Sequence, residues 1–126
     1  MLDAKSPFAS MHIRDMLADT MREHMSIVRC ADSLSKGIAD VRSYLSVAER
    51  IHYDASVSAY TNYSLSGILT LALAALTCAD ARRESRGAHY RSDYPTASDE
   101  YRAATIISYN DGNMQVTFDR ENVYED

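Results

Sequence analysis

The strongest constraint on this chain is an apolar window from Leu65 to Ala81, broken by Ser66, Gly67, Thr70 and Thr77. A helix apolar on most faces has to be surrounded by other elements rather than by water. The window therefore predicts a third helix from about Tyr63 to Arg86, the most buried of three. Ala72, Ala74, Ala75 and Ala79 would let neighbouring backbones come close. The window is short and polar for a bilayer span, which excludes direct membrane insertion from the expectation.

Two other stretches supply the neighbours. Ser6-Pro7 reads as a helix start, with serine to cap and proline tolerated in the first turn. Beyond it Ile13, Met16, Leu17, Met21, Met25 and Val28 recur at three- and four-residue steps, with Arg14, Asp15, Asp19, Arg22 and Glu23 largely between them. Ala31, Leu34, Ile38, Val41, Leu45 and Ala48 then form a regular seam, from which Gly37 lies off to one side. Cys30-Ala31-Asp32-Ser33 marks either a cap or a kink between these two helices. His52 to Asn62 carries no helical stripe and reads as a connector that lets the chain reverse.

Past Pro95 the period changes. Tyr101 to Tyr109 and Gln115 to Phe118 are rich in β-formers, and Asn110-Asp111-Gly112-Asn113 between them is a turn signal, so a hairpin follows. A lone hairpin is marginal in water and must lean on the helices or on something else. The expected fold is all-α, an antiparallel three-helix bundle with a C-terminal β-hairpin. Residues 1–95 form the bundle and 96–126 the extension.

At 126 residues the chain is one domain, short for a complete cofactor-dependent enzyme. Its net charge of −5 argues against a nucleic-acid partner. Cys30 and Cys78 fit no metal or redox spacing and point to free thiols in a reducing, cytoplasmic setting. Met1 to Ser10 lacks the pattern of a secretory signal.

Catalytic patterns are missing. Four glycines at 37, 67, 87 and 112 make no phosphate loop, and His12, His24, His52 and His89 share no ligand spacing. Asp15 and Asp19 sit beside Arg14 and Arg22 on an ordinary solvated face. Only Arg82-Arg83-Glu84-Ser85-Arg86-Gly87-Ala88-His89-Tyr90-Arg91-Ser92-Asp93-Tyr94-Pro95 asks for explanation. Gly87 is placed to close the third helix in the left-handed conformation, with Pro95 shortly beyond. Guanidinium forks and an imidazole on such a corner suit carboxylates, phosphate or a protein surface, while the plainer reading is a solvated helix end.

Arg83 to Pro95 resembles the Glu-Ser-Arg-Gly-Ala-His-x-Arg-x-Asp-(Phe/Tyr)-Pro signature of the flavoprotein subunits of succinate dehydrogenases and fumarate reductases, a version of which occurs in L-aspartate oxidases. Upstream, Ile13 to Met21 and Ile27-Val28-Arg29 are similar to that family's first C-terminal helix and the arginine before its second. Downstream, Thr105 to Tyr109 and Val116-Thr117-Phe118 are similar to its final hairpin. Tyr101-Arg102-Ala103-Ala104-Thr105 departs from the tryptophan, lysine and histidine usual there in respiratory members.

The resemblance implies a spectrin-like, up-down-up domain that binds no cofactor itself and packs on the FAD-binding and capping domains of a parent succinate, fumarate or aspartate oxidoreductase. The flavin-binding motifs of that family do not occur in this chain. The resemblance also implies that Arg83, Glu84, Ser85, Arg86, His89, Arg91 and Asp93 lock this domain to the catalytic body, with no catalytic, flavin or metal ligand among them. On its own such a domain should be inactive, partly solvated at this corner and prone to self-association. A second reading is a free-standing helical adaptor whose basic corner binds an acidic protein. A third is a small enzyme using His89 with Arg86 and Arg91 on an anionic substrate.

Overall fold

The computed structural model describes residues 8–51 and 59–121. The helix start read at Ser6-Pro7 and most of the connector, 52–58, lie outside them. Three helices, α1 (Ala9–His24), α2 (Ala31–Ala48) and α3 (Ala59–Ala81), pack on one another. A two-residue strand β1 (Val28–Arg29) precedes α2, and β2 (Tyr90–Arg91) follows α3. A 3-10 turn (Asp99–Tyr101) leads to the hairpin β3 (Ala104–Asn110) and β4 (Asn113–Asp119).

The core forms where the three apolar stripes meet. α1 contributes Ile13 and Leu17, α2 contributes Leu34, Val41 and Tyr44, and α3 contributes Leu65, Leu69, Ala72, Leu73, Leu76 and Ala79. Ile38, Leu45 and Ala48 of the expected α2 seam line its margin, and Ala31 is exposed at the helix start. Two polar bridges fix α1 against α2 within this packing. Thr20 Oγ1 and Tyr44 Oη lie 2.8 Å apart, and buried His24 places Nδ1 2.8 Å from Ser33 Oγ.

Gly37 corrects the reading that placed it off the seam. It is buried where α2 meets both neighbours, and a Cβ there would stand 2.9 Å from His24 Cβ and 3.1 Å from a Leu76 methyl. The helix accepts a residue of poor propensity because only a hydrogen fits between His24 and Leu76. Helices α1 and α2 are separate, with Cys30 extended at the α2 N-cap, so the Cys30–Ser33 stretch is a helix start and not a kink.

α3 also differs from expectation. It begins earlier, at Ala59, and ends earlier, at Ala81. Its stretch Ser64–Ala81 is long and apolar enough to cross a membrane by length and composition alone, yet one face closes the core and only 33% of the stretch is buried. Two helices and a hairpin cannot encircle a third.

The hairpin turn is tighter than the four residues read from sequence. Strands β3 and β4 pair antiparallel down to Asn110↔Asn113, leaving Asp111 (φ 50°) and Gly112 (φ 81°) as the loop. Two successive positive φ values are the mark of a type I′ turn, which matches strand twist and favours Asp-Gly. Met114 packs at the edge of the helical core, and Tyr101 stacks edge-on to Phe118 at 5.1 Å between centroids. Sequence reading missed the parallel pair β1–β2, in which Val28 faces Tyr90 and Arg29 faces Arg91. Strands two residues long give no periodic signal.

Candidate interdomain site

The Arg82–Pro95 segment begins where α3 ends, and the way the helix ends sets the geometry. Its last carbonyls have no partners along the chain and have to find others. Arg91 supplies them, donating from Nη1 to Ala79 O (3.1 Å), Asp80 O (2.7 Å) and Arg82 O (3.4 Å). A cation at a helix C-terminus also meets the negative end of the dipole. Arg91 thereby does the capping that sequence assigned to Gly87. That glycine instead sits, at φ 57°, in a two-residue turn closed by Arg86 N→His89 O (2.8 Å) and His89 N→Arg86 O (3.0 Å).

The other side of Arg91 reaches Asp93. Nε donates to Oδ1 at 3.0 Å and Nη2 to Oδ2 at 2.7 Å, a bidentate pair. Oδ2 also accepts from Ala31 N at 2.9 Å, one of the unsatisfied amides at the start of α2. One Arg–Asp pair thus caps the end of α3 and the beginning of α2. The Arg91 hydrogen bonds, foremost, hold the Asp93 carboxyl down at a pKa of about 2. Arg91 itself is 1% exposed and lies 5.0 Å from the Tyr94 ring centroid.

Glu84 is the second hub and is 0% exposed. It accepts from Arg82 Nη1, from Arg86 Nε (3.0 Å) and Nη2 (3.3 Å), and from Ser98 N (2.8 Å). Burial alone would raise its pKa. The donors from Arg86, Ser98 and Arg82, with the Arg86 charge, outweigh burial and leave it below the ordinary carboxylate value. Arg82 continues outward to Tyr101 O (2.7 Å), to Ala103 O and to Thr105 Oγ1 (3.0 Å), and lies 5.5 Å from the Phe118 ring. The hairpin is therefore hung from the end of α3.

His89 joins this cluster to β1. Arg29 Nη1 lies 3.0 Å from His89 Nδ1, and a guanidinium only donates, so Nδ1 accepts. The proton then sits on Nε2, which donates to Arg82 O at 3.1 Å. Burial, helped by the charges of Arg29, Arg91 and Arg82, outweighs the Arg82 carbonyl and keeps the ring pKa below the usual histidine value. With both nitrogens engaged, the ring has none left for a general base. Ser85 Oγ takes Arg91 N (2.9 Å) and gives to Tyr94 O (2.7 Å).

Six of the seven residues implied by the resemblance, Glu84, Ser85, Arg86, His89, Arg91 and Asp93, are thus drawn together, while Arg83 is exposed beside them. The corner is partly solvated, with Arg83 and Asp93 exposed and Ser85, Arg86 and His89 half-buried, while Glu84 and Arg91 are satisfied inside the chain. Sequence reading singled out Arg82 with the segment but not among the docking residues, and it did not place Arg29 or Thr105 at the corner; the pairing of Arg29 with a motif sixty residues on left no local signal. Among the described residues no group of three or more His, Cys, Asp or Glu is placed to hold a metal.

Residues 14–126 match the family described as fumarate reductase flavoprotein C-term. The chain belongs to this family. The L-aspartate oxidase of Pyrococcus furiosus is 37% identical over 93 residues, covering 74% of this chain and 16% of that protein. The fumarate reductase flavoprotein subunit of Mycobacterium tuberculosis is 29% identical over 120 residues, covering 84% of this chain and 20% of its own. In structure, FrdA of Escherichia coli quinol fumarate reductase superposes with a TM-score of 0.79 at 22% identity, over 94% of this chain and 22% of that one. The chain spans about a fifth or less of these flavoproteins. The matched residues 14–126 include both the Arg91–Asp93 pair and the Arg82–Glu84–Arg86 cluster.

Proposed function

We propose that this chain is the non-catalytic helical domain of an FAD-dependent oxidoreductase of the succinate dehydrogenase, fumarate reductase or L-aspartate oxidase type, packed on the flavin-binding and capping parts of the same flavoprotein. The observation that carries the reading is the family match over residues 14–126, which joins the three helices, the Arg83–Pro95 motif and the hairpin in one alignment. The helices run up-down-up in the manner of a spectrin repeat, supported by the short link between α1 and α2 and by the contacts of each helix with the other two. The corner Arg83–Asp93 meets the body through its exposed members, while Glu84 and Arg91 hold it in shape from beneath. FAD belongs to the body and not to this domain. Cys30 and Cys78, both free thiols, support a reducing, cytoplasmic setting.

The test is a titration of the purified chain with FAD, followed by flavin fluorescence, and an assay with succinate, fumarate and aspartate. Neither stoichiometric quenching nor turnover is expected. Tight one-to-one flavin binding by this chain alone overturns the proposal.

A further inference from the structure

The face of α3 turned away from the core carries an apolar strip of its own. Gly67, Leu71, Ala75 and Cys78 follow one another at three- and four-residue steps along it, with Ile68 and Ala74 beside them, and no charged residue occurs between Tyr63 and Asp80. Leu71 is 70% exposed and Ile68 39%, while Ala74, Ala75 and Cys78 are half-buried. A helix with water on one side normally carries polar groups there, and an uncovered apolar strip favours association. Gly67 adds a second observation. It weakens the helix by about 1 kcal/mol relative to alanine, yet among the described residues no neighbour beyond its own stretch of helix lies within 4 Å of the place its Cβ would take. Nothing among the described residues uses the missing side chain.

We infer that this strip of α3, from Gly67 to Cys78, is the surface on which the flavin-binding part of the same flavoprotein packs, with Gly67 admitting a close approach. The occupant follows from length. The matching domain accounts for 22% of the E. coli FrdA chain, so the bulk of such a protein lies outside this structure and is available as cover. The hairpin does not provide it, since its tip lies over another side of the bundle, where it lines one cleft together with Thr70 and Leu73 of α3 and Arg42 and Leu45 of α2. The inference rests on the proposed membership of a longer FAD protein and adds which surface makes the contact.

The test uses Leu71→Cys with Cys30→Ser and Cys78→Ala, in the isolated chain and in the full-length flavoprotein that carries this domain. A thiol reagent should label Leu71→Cys rapidly in the isolated chain and at least about tenfold more slowly in the flavoprotein, where the thiol is covered. Equal rates in both, with FAD bound in the flavoprotein, overturn the docking face and leave the proposed function standing. Slow labelling of the isolated chain, with sedimentation that rises with concentration, assigns the strip to a second copy and also overturns it. A full-length protein without FAD removes the reading beneath the inference and the inference with it. Leu71→Asp supplies an independent measure: it should leave the melting of the isolated chain unchanged and lower that of the flavoprotein, and equal melting of both flavoproteins counts against the face.

Discussion

Arg91 stands at the centre of the polar corner, a guanidinium out of water that is kept charged by one carboxylate and three carbonyls. Removing one partner of such a pair leaves the other groups buried and unsatisfied. Arg91→Met should therefore destabilise the chain by about 3–5 kcal/mol in urea unfolding. Arg91→Lys should recover little of it, because a point ammonium cannot span Asp93 and the end of α3 together. Asp93 sets an acid limit. Its folded pKa, about 2, lies below its ordinary 3.8, so its contribution is complete above pH 4 and is lost as the pH falls through 2. With water screening the pair, the loss should be at most about 2 kcal/mol. Asp93→Asn should flatten the stability profile between pH 4 and 2, and an unaltered slope would refute the assignment.

At the scale of the element, two helical glycines have opposite futures under the same substitution. Gly37→Ala pushes a methyl against His24 and Leu76 and should cost about 1–3 kcal/mol, the usual result of overpacking. Gly67→Ala meets open space and should stabilise the isolated chain by about 0.5–1 kcal/mol through helix propensity. Paired thermal melts of the two variants read both signs in one experiment. The hairpin turn behaves like Gly37 for a different reason, since Gly112 at φ 81° holds a conformation that a side chain resists. The α3 end carries the lesson for sequence reading. A glycine near an expected helix end predicts a left-handed cap, but Arg91, ten residues past Ala81, reached the free carbonyls first.

For the whole molecule, the question is how a weak hairpin stays on a helical core. Arg82 answers it, spanning Glu84 on one side and the backbone of Tyr101 and Ala103 on the other. Arg82→Ala should uncouple the two parts. Amide exchange of β3 and β4 should quicken toward that of a free hairpin while the α2 amides keep their protection. Equal acceleration in both would show that the chain opens as one unit and that Arg82 is no hinge point.

The apolar periods determined that there are three helices, and the β-formers on either side of the turn residues 110–113 that a hairpin follows. These depend on spacing within a few residues, and spacing is written in the chain. The Arg83–Pro95 motif was equally visible as a string, together with the family it resembles. Its use was not. That Asp93 caps a helix beginning sixty-two residues earlier, that Arg29 fixes the tautomer of His89, and that Gly37 lies between His24 and Leu76 all depend on contacts between distant segments. Tertiary packing also decided that α3 is covered on one face only. Composition could mark that helix as apolar all round, but only the placement of α1, α2 and the hairpin could show which side was left for something else.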